Sequence, residues 1–147
     1  MIQYTLRAAL ESESTQIKKL INLVGINPTG LDWKRFIVAV NDGGQVIACG
    51  QIKPHGGDIR ELASIAVNPA HQGNGIARAV MEELIAATPR PVYLMCVSKM
   101  KDFYVKFGFS TVPYEKMPRY FQRISNVFRI ADIVRHSGEE LLVMKME

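Results

Sequence analysis

The chain has 147 residues, which sets a single domain spanning 1–147 as the expectation and is long enough to bury roughly two-thirds of its unfolded surface. It is 48% hydrophobic and 22% charged, as ordinary globular chains are, and no run of about eighteen apolar residues offers a membrane span. The net charge of +4 is concentrated in residues 101–135, where seven Lys/Arg stand against three acids; this favours an anionic ligand without by itself arguing for nucleic acid. The start, MIQYTLRAALESES, has no basic stretch followed by an apolar core, so no secretory signal is read and a cytoplasmic location is expected. Cys49 and Cys96 fall in predicted strands and are expected as buried free thiols. His55, His71 and His136 are scattered and fit no zinc spacing, so no metal is expected.

In chain order, IQYTLRAA alternates as a first strand. ESESTQIKKLINLVG reads as a capped amphipathic helix, with Ile17, Leu20, Ile21 and Val24 on one face and Gly25 as its stop. INPTGLDW is a loop. RFIVAVNDGGQVIACGQIKP is a hairpin around Asp42-Gly43-Gly44, HGG a second turn, and DIRELASIAV a longer returning strand. After a glycine turn, Ile76, Val80 and Leu84 mark a helix that ends near Thr88-Pro89. PVYLMCV is apolar throughout, as a strand buried on both faces is. SKMKDFYVKFG reads as a short helix closed by Gly108, FSTV as a short strand, MPRYFQRISNVFRIADIVRH as a helix starting at Pro118, and ELLVMKM as the last strand. The order β-α-β-β-β-α-β-α-β-α-β is α/β (α+β mixed): a mixed sheet with helices on its faces. A right-handed crossover should join the strand before the glycine helix to the strand after it.

The informative stretch is SIAVNPAHQGNGIARAVMEELIA, residues 64–86, where a buried strand meets a helix through two glycines. A helix N-terminus leaves its first N–H groups unpaired at the positive end of the dipole, which favours anions. Gly73 and Gly75 remove side chains that would hold a ligand away, so Gln72, Gly73, Asn74, Gly75, Ile76 and Ala77 are suited to wrap a diphosphate with main-chain donors. A P-loop would need Gly-Lys-Ser/Thr here, and Ile76-Ala77 stands instead. A dinucleotide fold would place the first glycine directly after the strand and an acid about twenty residues on; five residues, NPAHQ, intervene after Val67, and no acid follows at that distance before the next strand.

The Q-x-x-G-x-A pattern of Gln72, Gly75 and Ala77 resembles the pyrophosphate motif of the GNAT superfamily of acyl-CoA N-acyltransferases. FYVKFGF at 103–109, one strand later, is similar to that family's second signature, and the strand order is similar over nearly the whole chain. The resemblance implies a central, mostly antiparallel sheet splayed between the fourth and fifth strands, with acetyl-CoA as co-substrate. Ile65, Ala66 and Val67 would then offer strand-edge groups to the pantetheine amides. Tyr104 stands where the family's general acid stands, and Glu61 where many members carry a glutamate base; no histidine is read as better placed. For Glu61 the competing reading is a strand glutamate facing solvent or paired with Arg60 or Lys53. Many relatives have an Asn after the fifth strand, and here Ser98 is the residue available to replace it. Lys99, Lys101, Arg78 and Lys106 are candidates for the adenosine 3′-phosphate, each also readable as a solvated charge. Trp33 and Tyr114 are candidates to line the acceptor pocket, with packing as the alternative.

The implied activity is N-acetyl transfer to a primary amine of a small metabolite or peptide. The alternatives are a non-catalytic CoA-binding sensor and transfer to an aminoacyl-tRNA-type acceptor tracked by the basic helix 118–135. A small-molecule or peptide amine is the expected partner, nucleic acid and membrane are not, and a homodimer is allowed.

Overall fold

The computed structural model describes residues 2–130 and 139–147. It is a mixed α/β fold whose strands pair mostly antiparallel, with helices flanking them. The chain divides into two compact units, residues 1–53 with 62–89, and residues 54–61 with 90–147.

In the first unit β1 (Tyr4–Ala8) pairs antiparallel with β2 (Phe36–Asn41), and β2 with β3 (Val46–Pro54). The β2–β3 turn closes where the glycines predict it. Asn41 Oδ1 accepts from the N–H groups of Gly43 (3.0 Å) and Gln45 (2.9 Å), the side-chain device that makes Asn a turn former. β4 (Arg60–Val67) lies next to β3.

The helix α1 (Ser14–Val24) puts Ile17, Leu20 and Ile21 into a core with Phe36, Val38, Val40, Cys49 and Ala66. Its entry is held by Glu13, whose carboxylate takes both Arg7 guanidinium N–H groups (2.8 and 2.7 Å) and the Leu10 N–H (2.8 Å). The Arg7 bond is the main reason that carboxyl is held below its ordinary range. Its exit is Gly25, at φ 81°, whose N–H reaches Ile21 O at 3.0 Å.

The helix α2 (Ile76–Ala86) buries Ile76, Val80, Met81, Leu84 and Ile85, as the four-residue spacing predicts. It approaches β3 at Gly50. A β-carbon there would stand 2.5 Å from Ile65 Cδ1, 2.9 Å from Val80 Cγ1 and 3.0 Å from Leu84 Cδ1. Gly50→Ala is therefore expected to cost about 1–3 kcal/mol of stability by overpacking, read as a lower denaturant midpoint in urea. An unchanged midpoint would show that the packing of Ile65, Val80 and Leu84 is looser than described.

In the second unit β5 (Val92–Val97) pairs antiparallel with β7 (Leu141–Met146), and β7 with the two-residue β6 (Ser110–Thr111). Val92, Tyr93 and Leu94 are buried, as the apolar run predicts. The helix α3 (Lys101–Phe107) ends at Gly108, at φ 104°. The helix α4 (Arg119–Ile130) seats Phe121, fully buried, against Tyr93 with ring centroids 5.3 Å apart. Val127, which continues the helical spacing of Phe121 and Ile124, is 61% exposed. The remainder of the predicted last helix, with Arg135 and His136, lies outside the described residues.

Both cysteines are free and buried as expected, and burial pushes the Cys49 thiol up to about 12. Among the described residues no helix is long and apolar enough to cross a membrane, and no cluster of metal-ligating side chains forms.

Candidate active site

The glycine turn is built by polar side chains that satisfy its own carbonyls. Asn68 Oδ1 accepts from the Ala70 N–H at 3.0 Å, starting a short turn at Pro69–His71. Gln72 Nε2 donates to Val67 O at 3.2 Å, and Asn74 Nδ2 to His71 O at 2.9 Å and Gln72 O at 3.3 Å. The Gln72 bond ties the turn to the end of β4, so Ile65–Val67 and Gln72–Ala77 belong to one local assembly.

Gly73 (φ 83°) and Gly75 (φ 75°) have left-handed backbones, which only glycine adopts without strain. A β-carbon at either would meet no atom within 4 Å. Glycine is thus required by conformation, while the space beside it stays open. The first bond of α2 runs from the Ala79 N–H to Gly75 O at 3.1 Å, so the N–H groups of Ile76 and Ala77 precede the helical ladder. Open space, left-handed glycines and helix-end N–H groups together have the makings of an anion seat.

One residue of β4 that spacing does not mark is Ser64. Its φ is 59°, the only positive value among the described non-glycine residues. Such a conformation costs on the order of 1–3 kcal/mol and persists where neighbours enforce it. Here Gln51, fully buried, donates through Nε2 to Ser64 Oγ (2.8 Å) and to Gly30 O (3.1 Å). That clamp joins β3, β4 and the loop after α1 directly before Ile65, Ala66 and Val67. Trp33, from the same loop, is partly buried and packs against the α1 core.

In the second unit, Glu61 is buried at 7% exposure and neither faces solvent nor pairs with Arg60 or Lys53. Arg60 lies 3.8 Å from Asp58, and Lys53 Nζ donates to Thr29 O. The partner of Glu61 is His55, with Nε2 2.7 Å from Oε1. Sequence reasoning pairs Glu61 with no histidine and does not anticipate this contact. The hairpin turn, closed by the His55 N–H on Ile59 O at 2.9 Å, brings residues six apart side by side.

Tyr104 lies on α3, half-buried, among Phe103 (ring centroids 5.1 Å apart) and Phe109 (6.2 Å). Burial first, and the nearby Cys96 second, push its phenol above the ordinary value, so its proton is retained through neutral pH. Its hydroxyl has no hydrogen-bond partner among the described residues, so it is not spent on a backbone group.

Ser98 Oγ accepts from the Glu140 N–H at 3.1 Å and its N–H donates to Glu140 O at 2.8 Å, closing the end of the β5–β7 pair. Of the phosphate candidates, Lys99 lies 3.8 Å from Glu139 and Arg78 2.9 Å from Glu82. The Tyr114 hydroxyl accepts from Asn126 Nδ2 at 3.0 Å.

The acetyltransferase (GNAT) domain model matches residues 32–111, which takes in β2 through β6 and both motifs, and the chain belongs to that family. No curated protein matches by sequence. Among solved structures, N-acetylglutamate synthase from Neisseria gonorrhoeae, complexed with coenzyme A and N-acetyl-glutamate, superposes with a TM-score of 0.74 at 17% identity. The match covers 99% of this chain and 35% of that one, so the chain spans about a third of that relative. A Mycobacterium tuberculosis protein in complex with CoA gives a TM-score of 0.71 at 22% identity over 97% of this chain and 98% of that one. An acyl-CoA N-acyltransferase from Pseudomonas aeruginosa gives 0.70 at 17% identity, covering both chains fully.

Proposed function

We propose that this protein transfers the acetyl group of acetyl-CoA to a primary amine of a small metabolite or peptide, working as one domain over residues 1–147. The observation that carries the proposal is the anion seat at 72–77, joined through Gln72 to a strand end whose backbone is re-aimed at Ser64. The N–H groups of the turn hold the diphosphate, and the main chain of Ile65, Ala66 and Val67 aligns the pantetheine arm. Ser98, bound to Glu140 through its side chain, contributes to this binding by its position after β5.

Acetyl-CoA supplies the thioester whose carbonyl carbon the amine attacks. Glu61 takes the proton that the ammonium must lose before its lone pair can form the C–N bond. Tyr104 gives its hydroxyl proton to the sulfur as the C–S bond breaks, a role suited to a phenol that stays protonated. The acceptor class supported first is an amino acid, because the Neisseria relative was solved with N-acetyl-glutamate and also with L-arginine.

The test is acetyl-CoA consumption over a panel of L-glutamate and other amino acids, polyamines, aminoglycosides and peptides. Saturable, amine-dependent release of CoA supports the proposal. Tight CoA binding with no turnover on any class would favour a non-catalytic sensor. The role of Glu61 is read from pH. Glu61→Gln should lose rate mainly at neutral pH and recover as the bulk pH approaches the amine's own pKa, where substrate arrives deprotonated. A profile parallel to wild type and merely displaced downward would remove Glu61 as the base.

A further inference from the structure

We infer that His55 is a positioning residue for Glu61, fixing one carboxylate oxygen so that the other is presented as the proton acceptor. The inference rests on the reading of Glu61 as the base. His55 Nε2 and Glu61 Oε1 are 2.7 Å apart, with side chains only 11% and 10% exposed. An ionised carboxylate can only accept, so at this distance Nε2 carries the hydrogen whether or not the ring is charged. Glu61 Oε2 has no hydrogen-bond partner among the described residues.

The imidazole is itself held. Its face stacks on Tyr120 of α4, with centroids 3.6 Å apart and planes 17° from parallel, and Phe121 meets it edge-on at 5.9 Å. Rotating the ring away from Glu61 would break that stack. The charge of Glu61 reaches Tyr120 as well, adding to the burial that pushes its phenol up. The other charged groups of the hairpin, Asp58 and Arg60, face each other at 3.8 Å. Glu61 is therefore a buried carboxylate whose orientation depends on one hydrogen bond, and removing that bond leaves neither oxygen fixed toward the substrate.

Two measurements test this. In ¹⁵N-histidine spectra of the free protein, the His55 ring should carry a hydrogen at Nε2, and this preference should weaken in Glu61→Leu, which removes the acceptor. An unchanged mixture of ring tautomers in both proteins overturns the inference, with no acceptor needed. In turnover with the most active amine of the panel, His55→Ala should lose about ten- to a hundredfold in kcat/KM at neutral pH and recover at high pH, with KM for acetyl-CoA unchanged. His55→Gln, which keeps an N–H donor, should lose less, and it replaces the alanine variant if that one does not fold. A parallel downward shift for His55→Ala beside a steepened profile for Glu61→Gln defeats the His55 role alone. Parallel shifts in both defeat the Glu61 reading beneath it.

Discussion

Gly75→Val is expected to weaken acetyl-CoA binding by about a hundredfold or more while the protein stays folded. Two effects add. A left-handed backbone costs a β-branched residue about 1–2 kcal/mol, borne locally at the start of α2. The valine side chain would also project into the open space beside the helix-end N–H groups, where no protein atom lies within 4 Å. A phosphate displaced from one charge-assisted N–H bond loses about 1.5–3 kcal/mol, close to one to two decades of affinity. Because the surrounding space is empty of protein, packing is not disturbed: the backbone strain should lower the unfolding midpoint modestly, while the lost phosphate bond should appear in calorimetric Kd. Gly75→Ala should fall between wild type and valine. Unchanged affinity in a folded Gly75→Val would mean that the diphosphate sits elsewhere.

Tyr104→Phe is expected to leave acetyl-CoA binding nearly intact and to lower kcat by roughly ten- to a thousandfold, the range for removal of a general acid. The ring contacts with Phe103 and Phe109 survive the change, so the fold should tolerate it. The pH dependence has a definite sign. The acid works while protonated, and burial and Cys96 raise its pKa. The wild-type rate should therefore hold through the ordinary phenol range near pH 10 and fall only above it. In Tyr104→Phe that descending limb should be absent. Wild-type turnover by the variant would take Tyr104 out of the mechanism.

Helices and turns were legible because each has a local cause. Ile17, Leu20 and Ile21, and then Ile76, Val80 and Leu84, recur at helical spacing and are buried where that spacing puts them. Gly25 and Gly108 end their helices in left-handed conformations, and Asn41 closes its hairpin with its own side chain. Family membership was legible from the order of two motifs, since close approach of a diphosphate to main chain restricts residue types strongly.

What stayed hidden depends on tertiary register. Ser64 carries no mark of its left-handed backbone, because serine is compatible with a strand and the enforcing partner, Gln51, lies thirteen residues earlier. The His55–Glu61 pair needs the exact length of the hairpin turn, which HGGDI leaves open between several closures. The Ser98–Glu140 contact was hidden too, because the two lie forty-two residues apart. Val127 shows the converse, a helical spacing that continues onto an exposed position.

The central claim, that CoA is held by its diphosphate on the turn before α2, is tested most directly by titrating CoA into ¹⁵N-labelled protein and following backbone amides. The account predicts saturable downfield shifts largest at Gly73, Gly75, Ile76 and Ala77, where N–H groups gain charged acceptors, with smaller shifts along Ile65–Val67. Saturable binding that leaves those turn amides unmoved, or no binding at millimolar CoA, would contradict it.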